Sequence, residues 1–233
     1  MVSIEKNITL VKKRIEQAAT QAGRDPGSIK LLAVSKTRPI EDIQSAYNCG
    51  LNALGENYLQ EATDKIRALE TMGLEWHFIG PLQSNKTRPV SEHFDWVHSV
   101  DRLKIAKRLS EQRPVHLPPL NICLQINIDA EPSKSGVLPE QAVDLALLIG
   151  QLPNIRLRGL MAIPRASSTL EAQRQPFREL RLLQEQINQQ LDNSQKLDTL
   201  SMGMSGDIEA AIIEGSTILR VGTDIFGPRN PKN

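Results

Sequence analysis

Eight short apolar runs, each followed by a stretch of helical spacing, constrain this chain more than any other feature. The runs are KLLAVSK (30–36), LNALGEN (51–57), EWHFIG (75–80), DWVHSV (95–100), NICLQIN (121–127), LRGLMAI (157–163), LDTLSMGMS (197–205) and TILRVGTDIFG (217–227). Between the first two, PIEDIQSAYNCG starts on Pro39 and stops on Gly50, the proline-first, glycine-last asymmetry of helix ends. YLQEATDKIRALETMG places Leu59, Ala62, Ile66 and Leu69 on one face; DRLKIAKRLSEQ, PEQAVDLALLIGQ and TLEAQRQPFRELRLLQEQINQQL behave alike, and GDIEAAIIEG is a short last member. The connection after Gly80, NKTRPVSEHF, is the weakest, because it carries a proline. Strands alternating with helices pair in parallel, and eight such units predict an α/β fold closed as a single (β/α)8 barrel of the TIM type, one domain over residues 1–233. After the last run only PRNPKN remains, too short for a closing helix. Ile4, Ile8, Val11 and Ile15 stand at helical spacing ahead of GRDPG, so a leading helix within residues 1–22 is expected to pack over the last strand.

Composition narrows the functional classes. The 233 residues are 39% hydrophobic, enough for one sizeable core, and 28 Lys plus Arg against 27 Asp plus Glu leave a net charge of +1 that predicts neither a nucleic-acid nor a membrane partner. The amino terminus lacks a continuous apolar core and no segment is apolar for the ~20 residues a bilayer span needs, which predicts a cytoplasmic protein. Cys49 and Cys123 are far apart and fit neither a disulfide framework nor a zinc site. His77 and His98 sit inside strand-like runs without metal-ligand spacing, as core histidines satisfied by neighbours would. P-loop, dinucleotide, HExxH and GxSxG patterns are all missing.

In such barrels the chemistry gathers at the carboxyl ends of the strands. Lys36 ends the first run, and period two puts it on one face with Leu32 and Val34, aiming it into the barrel if those two are core residues; an ordinary surface lysine at a strand end is the plain alternative. In the seventh run Ser201, Gly203 and Ser205 alternate with Met202 and Met204, leaving one small, polar face that leads straight into GDIEAAIIEG. The free N–H groups and positive end of that helix suit a phosphate, and Ser205 is either a further donor or only a helix cap. Asp207 would repel a phosphate unless its carboxylate turns away. The eighth run sets Arg220 and Gly222 on one face, with Gly222 and Thr223 offering backbone donors and small groups where the strand ends. An arginine between Leu219 and Val221 is costly to bury without a partner, so it faces a ligand or joins an ion pair. Asn57 follows the second strand and either reaches the cavity mouth or caps a helix.

A lysine facing a cavity opposite a phosphate cradle suits a phosphorylated aldehyde held as a Schiff base, and pyridoxal 5′-phosphate (PLP) is the first candidate. A neighbouring cation such as Arg38 or Arg220 would favour the neutral amine that condensation requires. Arg38 could equally do no more than lead into the helix that starts at Pro39. A Schiff-base aldolase acting on a sugar phosphate uses the same elements and stays open.

Seven segments, LLAVSKTRP, GENYLQE, WHFIGPLQSNK, INIDAEPSKSG, RGLMAIP, LSMGMSGDIEAAI and RVGTDIFG, together resemble the YggS/PROSC type of pyridoxal phosphate homeostasis protein, through nearly the whole chain. The resemblance implies a fold-type III barrel like the N-terminal domain of alanine racemase, usually monomeric, with PLP on Lys36. It also implies that Ser201, Ser205, Gly222 and Thr223 surround the phosphate, that Arg220 faces the pyridine nitrogen, and that Asn57 and His77 line the ring site. The role implied is intracellular vitamin B6 balance, as a carrier or buffer with PLP-dependent apo-enzymes as candidate recipients, without established turnover. A PLP-dependent amino-acid racemase is the alternative; against it, the sequence carries no C-terminal β domain to supply an opposing tyrosine. Lys134, in EPSKSG after the fifth strand, is a candidate way-station for cofactor on the same rim, although a solvent-facing loop lysine is the simpler reading.

Overall fold

The computed structural model describes residues 3–228. The PRNPKN tail beyond Pro228, and the first two residues of the leading segment, lie outside the described residues. Eight parallel strands close into a barrel in chain order: β1 (Lys30–Val34), β2 (Ala53–Glu56), β3 (Glu75–Phe78), β4 (Trp96–Val100), β5 (Leu120–Gln125), β6 (Ile155–Met161), β7 (Thr199–Ser201) and β8 (Ile218–Val221). Closure runs from β8 to β1, with Lys30 opposite Ile218 and Leu32 opposite Arg220. Helices α1 (Ile4–Gln21), α2 (Ile40–Asn48), α3 (Leu59–Ala68), α4 (Thr87–His93), α5 (Leu103–Gln112), α6 (Pro139–Gly150), α7 (Leu170–Asn188), α8 (Ile208–Ile213) and α9 (Thr223–Phe226) surround it. The weak connection after Gly80 does form a helix, since Pro89 falls in the first turn of α4, where its missing N–H costs no helical bond. Among the described residues no helix is long and apolar enough to cross a membrane.

Apolar side chains divide between two layers, as the strand period requires. Ala33, Leu54, Phe78, Val97, Leu124, Leu160 and Leu219 pack outward against the helices. Leu32, Ala53, Trp96, Cys123, Met161 and Ile218 fill the barrel interior. Leu32 therefore faces inward, which carries the parity of β1 on to Val34 and Lys36.

The leading helix differs from expectation in where it lies. Ile8, Val11, Ile15, Ala18 and Ala19 of α1 are buried, and the helix packs on α8, α9 and α2 more than on β8 itself. The reason is geometric: α8 is six residues long and α9 only four, so they leave a gap in the outer ring that an 18-residue helix fills. The eighth run also proves to be two elements, because TDIF after Gly222 winds into the single turn of α9.

Candidate functional site

Lys36 lies two residues past the end of β1, in a turn closed by the Arg38 N–H donating to the Ser35 carbonyl at 3.0 Å. Thr37 in that turn has φ 64°, a left-handed conformation that a β-branched residue adopts only when its surroundings impose it. Here the Thr37 N–H donates to Glu61 Oε1 at 2.6 Å. Lys65 of α3 donates to the Ser35 carbonyl at 2.8 Å and to Glu56 Oε1 at 2.8 Å, and it pairs with Glu61; Ser35 Oγ donates to the same Glu56 oxygen at 2.7 Å. Ser35, Glu56 and Lys65 are all buried. Burial pushes the Glu56 carboxyl above its ordinary range, against the pull of Lys65 and Ser35. This ion cluster beneath the turn holds Lys36 at the barrel mouth. Sequence reading missed it; the one local signal was the Glu61–Lys65 spacing of four on a helix.

Above the turn opens a cavity of about 230 Å³ walled by Val34, Lys36, Arg38, Asn57, Ile79 and Ile163 together with the ends of β7 and β8. Of the expected site residues it brings together Lys36, Asn57, Ser205, Arg220, Gly222 and Thr223. Asn57 Oδ1 is buried without a partner. Gly80 makes this wall possible, since a Cβ there would stand 2.4 Å from the Asn57 carbonyl oxygen.

His77 and Ser201 do not line the cavity. Along the third strand's inward face His77 sits one layer deeper and Ile79 takes the wall position. Ser201 is the last residue of β7, because Gly203 at φ 94° breaks the expected alternation. A Cβ on Gly203 would lie 2.5 Å from Ala211 Cβ and 2.6 Å from Leu219 Cδ2, so only glycine lets the chain pass between α8 and β8. Ser205 then reaches the cavity through the turn that follows, together with Met204 and Gly206.

Both short helices are braced from outside by Arg14 of α1. Its guanidinium donates to the Ser205 carbonyl at 2.8 Å, pairs with Asp224 at 3.2 Å and forms a two-point bond with Glu209. The Asp224 N–H donates to Ser205 Oγ at 3.4 Å. Asp207 turns away from the cavity, accepting the Met204 N–H on Oδ1. Burial raises its carboxyl above the usual range. Six residues make α8 too short for much macrodipole, so the donors on this side are Ser205 Oγ, Thr223 Oγ1 and the N–H groups of the two turns, rather than the helix end the sequence suggested.

Arg220 forms part of the cavity wall, 5% exposed. Among the described residues it makes no ion pair; its acceptors are neutral, the Ser201 carbonyl, Ser201 Oγ at 2.8 Å and the Ala162 carbonyl at 2.9 Å. Burial lowers its pKa to about 10, so it remains a cation at neutral pH. Arg38 is taken up elsewhere: it donates to the carbonyls of Gly227 and Pro228 and lies over the Phe226 ring, 5.9 Å from its centroid. Lys134 lines an adjoining hollow that shares Asn57, Ile79 and Ile163 with the main cavity, and its ammonium is paired with Asp129 at 2.8 Å and Glu131 at 2.7 Å.

A barrel with a lysine past the first strand's carboxyl end and hydroxyl and backbone donors after the seventh and eighth is of the alanine racemase N-terminal type, and the family model described as "Alanine racemase, N-terminal domain" matches residues 4–230. A pyridoxal phosphate homeostasis protein of Pseudomonas aeruginosa is 57% identical over 99% of this chain and 97% of its own. Among solved structures, an unknown protein from Bifidobacterium adolescentis aligns at TM-score 0.88 and 37% identity, over 96% of this chain and 94% of that one. The PLP-bound structure of PipY from Synechococcus elongatus PCC7942 aligns at TM-score 0.79 and 37% identity, over 91% and 99%. The chain belongs to the YggS/PROSC family of pyridoxal phosphate homeostasis proteins.

Proposed function

We propose that this chain binds PLP in the cavity, as a Schiff base on Lys36, and serves intracellular PLP balance as a carrier or buffer. The fit is chemical. One cavity carries an amine on Lys36, hydroxyl and backbone donors for a phosphate on Ser205, Gly222 and Thr223, the unpartnered amide oxygen of Asn57, and the Arg220 guanidinium. When bound, PLP supplies an aldehyde that condenses with amines and a ring that can draw electrons from the attached carbon. Arg220 is donor-only, so toward a pyridine nitrogen it would donate a hydrogen bond and oppose ring protonation, which blunts the electron-drawing capacity.

The observation that carries the non-enzymatic reading is the lining itself: among the described residues that wall the cavity there is no carboxylate, imidazole, phenol or thiol. Reversible removal and return of a proton on opposite faces of a substrate needs a second acid/base besides Lys36, and that wall offers none. Two measurements test the proposal. Borohydride reduction of PLP-loaded protein should fix one cofactor on the Lys36 peptide and none in Lys36→Ala; label on another lysine refutes the attachment. Incubation with α-deuterated amino acids should release deuterium no faster than free PLP does, and sustained release above that rate refutes the carrier reading.

A further inference from the structure

Below the cavity a continuous line of hydrogen bonds threads the barrel from the amino-terminal mouth to Arg220. Ser201 Oγ lies 2.7 Å from His98 Nδ1, and His98 Nε2 lies 2.8 Å from His77 Nδ1. His77 Nε2 bonds Glu75 Oε1, which also accepts Lys30 Nζ at 2.6 Å. Ser201, His77 and His98 are buried. The Trp96 ring stacks on His77 at 5.5 Å and 8°, and Lys30 and Arg158 lie over its indole, 5.8 and 5.1 Å from the centroid.

The two ends fix the direction of this line. A guanidinium can only donate, so Ser201 Oγ accepts from Arg220 and its hydroxyl hydrogen goes to His98 Nδ1. His98 then carries its proton on Nε2 and donates to His77 Nδ1; His77 likewise donates from Nε2 to Glu75, which as a carboxylate can only accept. The reverse order would strand the buried Ser201 hydroxyl hydrogen and set a lone pair of His77 against the carboxylate. We propose that Glu75, His77, His98 and Ser201 form a polarised relay that orients Arg220 and conveys the Glu75 charge to it, so that the amino-terminal end of the barrel tunes the cofactor site at the other.

The setting for such a relay is Arg220 itself, a buried cation whose hydrogen-bond acceptors are all neutral and which the Asp207 carboxylate favours only through space, without an ion pair. Each bond in a chain strengthens the next, by about 10–30%, so a carboxylate three links away makes Ser201 Oγ a better acceptor than an isolated serine. The charges facing the rings are Glu75, Lys30 and Asp95 around His77, and Arg220 and Lys30 around His98. Burial is the largest influence on both rings and keeps both neutral, as the relay requires.

This inference rests on the PLP reading for its consequence but not for its existence, and the test separates the two. Long-range proton–nitrogen NMR on the full chain without cofactor reads each imidazole directly. Both rings should be neutral Nε2–H tautomers from about pH 6 to 8.5, with no titration near the ordinary value of about 6.5. A ring protonated on Nδ1, or titrating like a free histidine, overturns the relay whatever the cofactor does. Glu75→Gln, at the opposite end of the barrel from the cavity, should shift the tautomer balance of His77 or His98. It should also move the visible band of bound PLP and weaken PLP binding by up to about tenfold, the worth of one charge-assisted hydrogen bond. Wild-type protein that binds PLP, with a Glu75→Gln variant of unchanged band and affinity, refutes the coupling and leaves the functional proposal standing. Wild-type protein that binds no PLP refutes that proposal, while the tautomers still decide the relay. Because the tautomers are read in the unsubstituted chain, a variant that fails to fold does not remove the test.

Discussion

Replacing Lys65 with Met takes one charge from the cluster under the Lys36 turn and keeps most of the side chain's length. Glu56 Oε1 then has only Ser35, and Oε2 has no partner even before the change. A carboxylate so placed either stays charged in a low-dielectric site or takes a proton, and the cheaper course sets the cost. Keeping it protonated at pH 7, against an unfolded value of about 4.3, spans about 2.7 pH units at about 1.36 kcal/mol each, a ceiling of about 3.7 kcal/mol. Burial already raises the native carboxyl, so part of that penalty is present in the wild type and the expected loss is about 2–3 kcal/mol. Over this range the folded variant holds more protons than its unfolded chain, so its deficit must shrink toward acid, to a ceiling of about 1.6 kcal/mol at pH 5.5. Urea melts of both proteins at the two pH values measure this, and Glu56→Gln combined with Lys65→Met should recover most of the loss at neutral pH. A deficit that does not change with pH, or a double variant no more stable than the single one, would refute the reasoning. The same variant frees the Ser35 carbonyl and loosens the Thr37 turn, so less of the protein should carry borohydride-reducible PLP on Lys36 at a fixed cofactor concentration.

Three further outcomes are expected. Arg14→Ala, in a helix that supplies no cavity residue, should weaken PLP binding by about five- to tenfold through the freed Ser205 turn, measured by fluorescence titration; unchanged affinity would show that α8 and α9 hold their places without it. Gly203→Ala should cost about 2 kcal/mol or more in urea melts, because it combines a left-handed φ with a methyl group pressed on Ala211 and Leu219. For Glu75, burial alone would raise the carboxyl, but the His77 bond and the Lys30 charge outweigh it and hold the pKa at about 2. A depressed carboxyl contributes stability that is full above the unfolded value of about 4.3 and is lost as pH falls toward 2. Wild-type protein should therefore lose stability more steeply over that window than Glu75→Gln; because Glu75 is partly exposed the difference should be about 1 kcal/mol, seen in acid titrations followed by circular dichroism.

What was legible in the sequence was whatever depends on local period. Eight apolar runs specified eight strands, and the parity of Leu32, Val34 and Lys36 specified the inward face of the first, because side chains two apart in a strand must share a face. Ser201 misled for the same reason: parity continued through Gly203, and nothing in the sequence announces that Gly203 is left-handed, since the atoms that exclude a Cβ there belong to Ala211 and Leu219. Glu56 and Lys65 escaped notice because a strand residue and a helix residue meet only after the unit has folded back on itself. The four lysines and arginines weighed as site residues show what decides such cases. Lys36, Arg38 and Arg220 all line the cavity, Arg38 while bonded to the carbonyls of Gly227 and Pro228 and Arg220 to Ser201 and Ala162, whereas Lys134 lies in the adjoining hollow between two carboxylates.

The two histidines are the sharper case. Each reads in the sequence as a core histidine satisfied by a neighbour, and each is that. The neighbours, however, come from β3, β4 and β7, so the line from Glu75 to Arg220 exists only once the barrel closes and its middle layer is in register. Groups at the carboxyl ends of the strands can be found by reading each strand to its end, whereas the groups that hold them in place belong to the layer beneath and are set by closure. If Arg220 owes its orientation to that layer, substitutions at Glu75, His77 or His98 should change the cofactor site more than substitutions in its exposed rim, although none of the three lines the cavity.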